Sequence, residues 1–190
     1  MTIGKDGPGV VTLGLADRGR AIAAIKAALR IETAVEDVLI TGLAESAMGL
    51  AEQFLGQMLI VRPVEEILPS SAQWQRLAAA PVRAITAVAG VRADASEFSL
   101  AVTDYAIDID ARGDGWVRMV DAGDARRVRA VCIAGLVNDW DSLPGPLRQG
   151  VVMLGAYLFS ERDTARPPPS AITALWRPFR AATLARAVYA

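Results

Sequence analysis

Three aspartates come closest to chemistry in this sequence. Asp108, Asp110 and Asp114 surround a glycine in the stretch YAIDIDARGDGW. Carboxylates so spaced suggest a calcium loop, and Arg112, Gly113 and Asp114 also spell the tripeptide associated with integrin binding. With Asp108 as the first loop position, the fifth is Arg112, a cation where an oxygen ligand is needed. The twelfth is Met119, not a bidentate glutamate. The opening MTIGKDGPGVVTLGLADRGR has no basic region followed by a sustained apolar core, so no secretion signal would bring an adhesion motif to a receptor. Gly113 and Gly115 flank Asp114 and supply the positive-φ positions of a hairpin. The stretch is expected to be a turn.

Little else could do chemistry. The chain has no histidine, which removes the commonest general base and transition-metal ligand. Its one cysteine, Cys132, lies in an apolar run and reads as a small core residue. Lys5 and Lys26 are the only lysines, one in a glycine-rich lead and one on an amphipathic segment, so a serine–lysine pair has poor material. The carboxylate pairs Glu65–Glu66 and Asp139–Asp141 read as solvated charges near turns. No phosphate-cradling or dinucleotide glycine motif is present. The expectation is a non-enzyme without cofactor or metal.

The C-terminal stretch carries a different kind of signal. Arg162, Arg166, Arg177, Arg180 and Arg186 face only Glu161 and Asp163, and Trp176, Phe179 and Tyr189 are interleaved with them. Arginine with aromatics is the residue vocabulary of protein interfaces. Set behind Pro167, Pro168 and Pro169, an extended and stiff spacer, these residues are expected to form a docking arm over 163–190.

The elements that must position these residues follow from periodicity. A chain of 190 residues, 53% apolar and 22% charged, is long enough for one domain with its own core. The net charge of −1 gives no field to gather DNA or anionic lipid. No uninterrupted apolar stretch is long enough to span a membrane. Residues 1–16 read as a flexible lead. Ile22, Ile25 and Leu29 then mark a helix from 17, and Thr33 with Glu36 forms a capping box for a second helix running to about 58. Gly42, Ser46 and Gly49 would let a neighbouring copy approach that second helix closely. Residues 58–135 read as a small, mostly antiparallel sheet, with Pro63 marking an edge strand. Ser142 is expected to cap a third helix over 143–162, and Ser170 a short last one. The fold class is α+β: a helical bundle with an inserted antiparallel sheet.

Several segments in this order resemble the head–tail connector (adaptor) proteins of tailed phages and phage-derived gene transfer agents. They are AIAAIKAALRI, ETAVEDVLITGLAESAMGLAEQFLGQML, PVRAITAV, DYAIDID, VCIAGLVNDWDSLPGPLRQGVVMLGAYLFSERD and PPPSAITALWRPFR. The family pattern falls here on Ala134, Gly135 and Leu136, on Leu143 and Pro144, on Leu147, Arg148 and Gln149, and on Glu161 and Arg162. Tyr157, Leu158 and Phe159 stand where members often carry a histidine. The resemblance implies a structural connector domain over 17–162 and a virion-neck location after assembly in the host cytoplasm. It also implies a ring of this chain, a dodecamer in the particle, between a portal protein and a tail stopper or tail-completion protein. DNA would meet it only by passing through the lumen, and no membrane is involved. Another neck or tail-completion protein, or a DNA-contacting regulatory module, are the alternative readings.

Overall fold

A computed structural model describes residue 9 and residues 11–161 and 169–180. Helices α1 (Leu15–Leu29) and α2 (Asp37–Leu55) lead into seven strands. These are β1 (Arg62–Pro69), β2 (Gln75–Arg76), β3 (Val82–Val91), β4 (Glu97–Ser99), β5 (Tyr105–Ile109), β6 (Gly115–Met119) and β7 (Arg127–Ala134). Helices α3 (Gly145–Ser160) and α4 (Ser170–Trp176) follow, and a 3-10 turn, Arg177–Phe179, extends α4. The architecture is α+β, with the strands inserted between α2 and α3.

The helices share a core built on Ile25, Ile40, Met48, Leu55, Trp140, Leu147, Ile172 and Trp176. Helix ends depart from the sequence reading. The Thr33–Glu36 capping box does not form: α2 starts at Asp37, whose carboxylate accepts from Lys26 Nζ at 2.6 Å. That bond ties the end of α1 to the positive end of α2. Helix α2 stops at Leu55, short of 58, because Gly56 takes the left-handed conformation (φ 68) that ends helices. Ser142 does not cap α3, which begins after Pro144; its own N–H is donated to Asp139 Oδ1 at 2.8 Å. Ser170 is likewise the first residue of α4, and Pro169 precedes it as the cap.

The strands form two antiparallel sheets where one was expected, ordered β1-β7-β3-β4 and β2-β6-β5. They enclose a second core of smaller side chains, including Val64, Leu77, Val117, Ala130, Cys132 and Ala134. Strand β1 pairs only with β7, so Pro63 sits on an edge as its missing N–H requires. Val82, Ile85 and Val88 recur every three residues, which suits neither helix nor strand. Register shifts between Val82 and Ala84 and between Ile85 and Ala87 resolve this, each extra residue turning the next side chain back inward. The two connections to the helices run side by side: Leu136 and Val137 donate to the carbonyls of Met58 and Leu59 at 3.0 Å.

Candidate functional site

The aspartate stretch is a hairpin turn between β5 and β6. Asp110 Oδ1 accepts from the backbone N–H groups of Arg112 (2.8 Å) and Asp114 (3.0 Å), and Oδ2 from the Trp116 indole (3.2 Å). Loss of water pushes the Asp110 carboxyl up, but these donors outweigh it and leave its pKa below the usual aspartate value. Gly113 takes φ 80, as the turn requires. Asp114 is paired with Arg76, and Asp108 is exposed on β5. Asp110 is spent on the turn and Asp114 on Arg76, which leaves Asp108 alone on the exposed face of β5 and not in a set of converging ligands. No group of three His, Cys, Asp or Glu suited to a metal ion occurs among the described residues.

Among the described residues two other acids are buried, and the reading of Glu65–Glu66 as a solvated pair is half corrected. Strand alternation turns Glu65 outward to Arg129 and Glu66 inward, where it accepts from Ala78 and Ala79 N–H, both at 2.7 Å. Glu52 on α2 is fully buried. It accepts two bonds from Arg62 (2.8 and 2.7 Å), one from Leu59 N–H (2.9 Å) and one from Gly9 N–H (3.3 Å). Sequence reasoning missed Glu52. The available signal was a carboxylate at a core position, four residues after Met48 and three before Leu55, with an arginine ten residues on. Burial, with the Glu66 charge nearby, pushes the Cys132 thiol up to about 12, so it stays a protonated core group.

The N-terminal lead also needs correcting. Leu13 is buried and its N–H is donated to Glu45 Oε1 at 3.0 Å, so Gly9 and residues 11–14 form a strap along α2. Gly49 lies beneath it: a Cβ there would stand 2.5 Å from the Gly9 carbonyl oxygen. Gly49 is therefore spent inside the molecule and cannot meet another copy. Gly42 and Ser46 are exposed, with the Ser46 hydroxyl donated to the Gly42 carbonyl at 2.8 Å. Around them stand Val38, Leu39 and Leu50, which are 88%, 56% and 45% exposed.

The expected arm is largely folded onto the body within the described residues. Trp176 is buried, and its indole N–H is donated to the Leu147 carbonyl at 3.3 Å over the space left by Gly150. Its ring centroid lies 5.9 Å from that of Phe54. Trp176 is thus a core residue and cannot serve as a partner contact, because its apolar surface is already used. Phe179 is half-buried, and its carbonyl accepts from the Gln57 amide. Arg177 and Arg180 are exposed, the latter 5.6 Å from the Phe54 ring centroid. Arg162, Arg166, Arg186, Tyr189, Pro167 and Pro168 lie outside the described residues.

No helix of the described residues is long and apolar enough to cross a membrane. No protein-family model matches the sequence, and no curated protein matches it. Solved structures do. A chain from the neck of an empty gene transfer agent particle, computed with C6 symmetry, superposes with a TM-score of 0.70 at 23% identity. That match covers 93% of this chain and 96% of the other. A chain from the native particle's neck, computed with C12 symmetry, gives 0.68 at 22% identity over 98% and 99% of the two chains. One from the virion of the native gene transfer agent gives 0.67 at 22% identity over 98% and 97%. At this identity the likeness is one of fold, and it extends over nearly the full length of both chains.

Proposed function

We propose that this chain is a structural subunit of the neck of a tailed-phage-like or gene transfer agent particle. The supporting observation is the near full-length likeness to neck chains solved with C6 and C12 symmetry. In this reading, copies form a ring, a dodecamer in the particle, between a portal protein and a tail stopper or tail-completion protein. DNA passes through its lumen. A ring needs two different faces on each copy. The exposed side of α2 at Gly42 and Ser46 serves as one of them.

The portal-facing residues are Arg177, Phe179, Arg180 and, outside the described residues, Arg162, Arg166, Arg186 and Tyr189. Arginine forks suit an acidic rim. The test is co-purification with portal-containing heads. Arg177→Glu with Arg180→Glu should abolish it while leaving the melting temperature close to wild type. Undiminished recovery with heads would refute the portal contact, and recovery with tail tubes would assign the chain to tail completion.

A further inference from the structure

Strand β5 is the last in the order β2-β6-β5, so one of its sides is paired with β6 and the other is open. Parity decides which backbone groups face the open side. The Asp110 N–H is donated to the Asp114 carbonyl at 3.0 Å, and the Val120 N–H to the Asp104 carbonyl at 2.8 Å. In an antiparallel pair such bonds fall on every second residue, so Asp104, Ala106, Asp108 and Asp110 turn their backbone groups to β6. Tyr105, Ile107 and Ile109 turn theirs outward. Among the described residues no backbone bond from outside the sheet reaches Ile107 or Ile109.

The side chains of these two residues belong to the inner face. Ile107 lies across from Val117 and Ile109 from Gly115, and both partners are buried. Yet Ile107 is 44% and Ile109 38% exposed, against 1% for Val117. The inner face therefore runs out at β5 with two isoleucines incompletely covered. Nor is this edge guarded as edges usually are. The edge strand β1 carries Pro63 and Pro69, whereas β5 has no proline and pairs with β6 without a register shift. What β5 does carry is an acid. Asp108 is exposed on the outer face and has no hydrogen bond or ion pair among the described residues. Arg118, on the same face of β6, stands over the Trp74 ring instead, 5.0 Å from its centroid.

These features select the occupant. A strand added here would bond to the main chain of Ile107 and Ile109 and lay apolar side chains beside theirs. Its alternate side chains would stand next to Asp108, where a cation is favoured and an acid is not. The other described edges of this chain do not fit. Strand β1 has its prolines and Glu65, β2 is two residues long, and β4 is three residues long and carries Glu97. Two β5 edges brought together would set Asp108 and Asp110 of both copies on one face, like charge against like. We propose that the open edge of β5 takes up an extended segment of a different protein, alternating apolar with basic residues, as an added strand. The proposal stands on the edge geometry and does not need the neck reading.

The probe is a blocked peptide alternating valine with lysine, and the readout is residue-resolved amide hydrogen exchange of the full chain. Without peptide, the Ile107 and Ile109 amides should be at least about tenfold less protected than those of Ala106 and Asp108 in the same strand. The peptide should slow Ile107 and Ile109 by at least about tenfold. Methylating its backbone nitrogens at every second residue should abolish the slowing in one of the two phases and not in the other, because an added strand bonds through one side only. Asp108→Lys should remove the response to the lysine peptide and confer it on one alternating valine with glutamate. Ile107 and Ile109 already protected in the free chain at every concentration would mean that the chain fills its own edge. Protection that grows with protein concentration would assign the edge to a second copy. Either result overturns the proposal. So do equal slowing by the lysine and glutamate peptides on the unsubstituted chain, indifference to both methylation phases, and no slowing at about 1 mM lysine peptide, where even weak strand addition registers.

Discussion

The helical body and the β unit each bury one carboxylate, and they satisfy it differently. Glu66 is held by two backbone N–H groups from a loop twelve and thirteen residues away, within its own unit. Glu52 gathers an arginine from the mouth of the β unit, a backbone N–H from the chain leaving α2, and another from the N-terminal strap. One acid shapes a loop; the other fastens three segments together. The same contrast holds more widely. The β unit is held by backbone pairing between its own strands, β1 and β3 on either side of β7, whereas the helical body is also joined by side chains bonding to backbone, such as Trp176 to the Leu147 carbonyl and Glu45 to the Leu13 N–H.

The sharpest test of this contrast is to remove the two acids separately. Glu52→Ala leaves Arg62 largely buried beside an empty site and should cost about 3–5 kcal/mol in chemical denaturation. Replacing the pair, Glu52→Leu with Arg62→Met, should recover most of that loss. Glu66→Ala orphans two N–H groups and should cost less, about 1–3 kcal/mol. Equal losses would erase the distinction. Trp176→Ala should cost about 3–5 kcal/mol, so a chain cut at 168 should be destabilised and not merely shortened. A truncated chain melting like wild type would show that α4 is dispensable.

Two glycines seven residues apart on α2 give a smaller comparison. Gly49→Ala should push the strap away and speed proteolysis near residue 9. Gly42→Ala meets open space and should be neutral or stabilising by about 0.5–1 kcal/mol, since alanine favours a helix. The smallest effect expected is on acid stability. Asp94, with its Ser96 hydroxyl and amide partners, Asp139, with Ser142, and Asp110 all have folded pKa values below the ordinary one. Their contribution is present above about pH 4, the unfolded value, and is lost as pH falls through the lowered folded values. Asp110→Asn should therefore melt lower than wild type at pH 7 and converge with it near pH 2.

Much of the β unit was legible because its signals are local. Alternation in YAIDID and the glycines beside Asp114 act between residues a few positions apart, and β5, β6 and their turn lie where these place them. The two-residue strand β2 was too short to carry a period. The division into two sheets depends on which face covers which, and no local pattern encodes that. At the helix ends the expected caps lost to other bonds: Lys26, eleven residues before it, took Asp37, and Asp139, three residues before it, took the Ser142 amide. The arginines at 177 and 180 belong to the expected docking arm and are exposed, but the tryptophan beside them packs over Gly150 and donates to the Leu147 carbonyl.

The strap has a consequence for how far this sequence can drift. Glu45 and Glu52 recognise its peptide N–H groups, which every residue but proline carries. Position 12 is exposed, whereas Leu13 through its buried side chain, Val11 through its packing on the helical core, and Gly9 through its φ of 96 each demand a particular chemistry. The segment can therefore change its letters at position 12 while keeping its path, provided Gly9, the apolar residues at 11 and 13 and the two carboxylates on α2 stay in place. In this part of the molecule the instructions for the strap are shared between its own alternate residues and the helix it lies on.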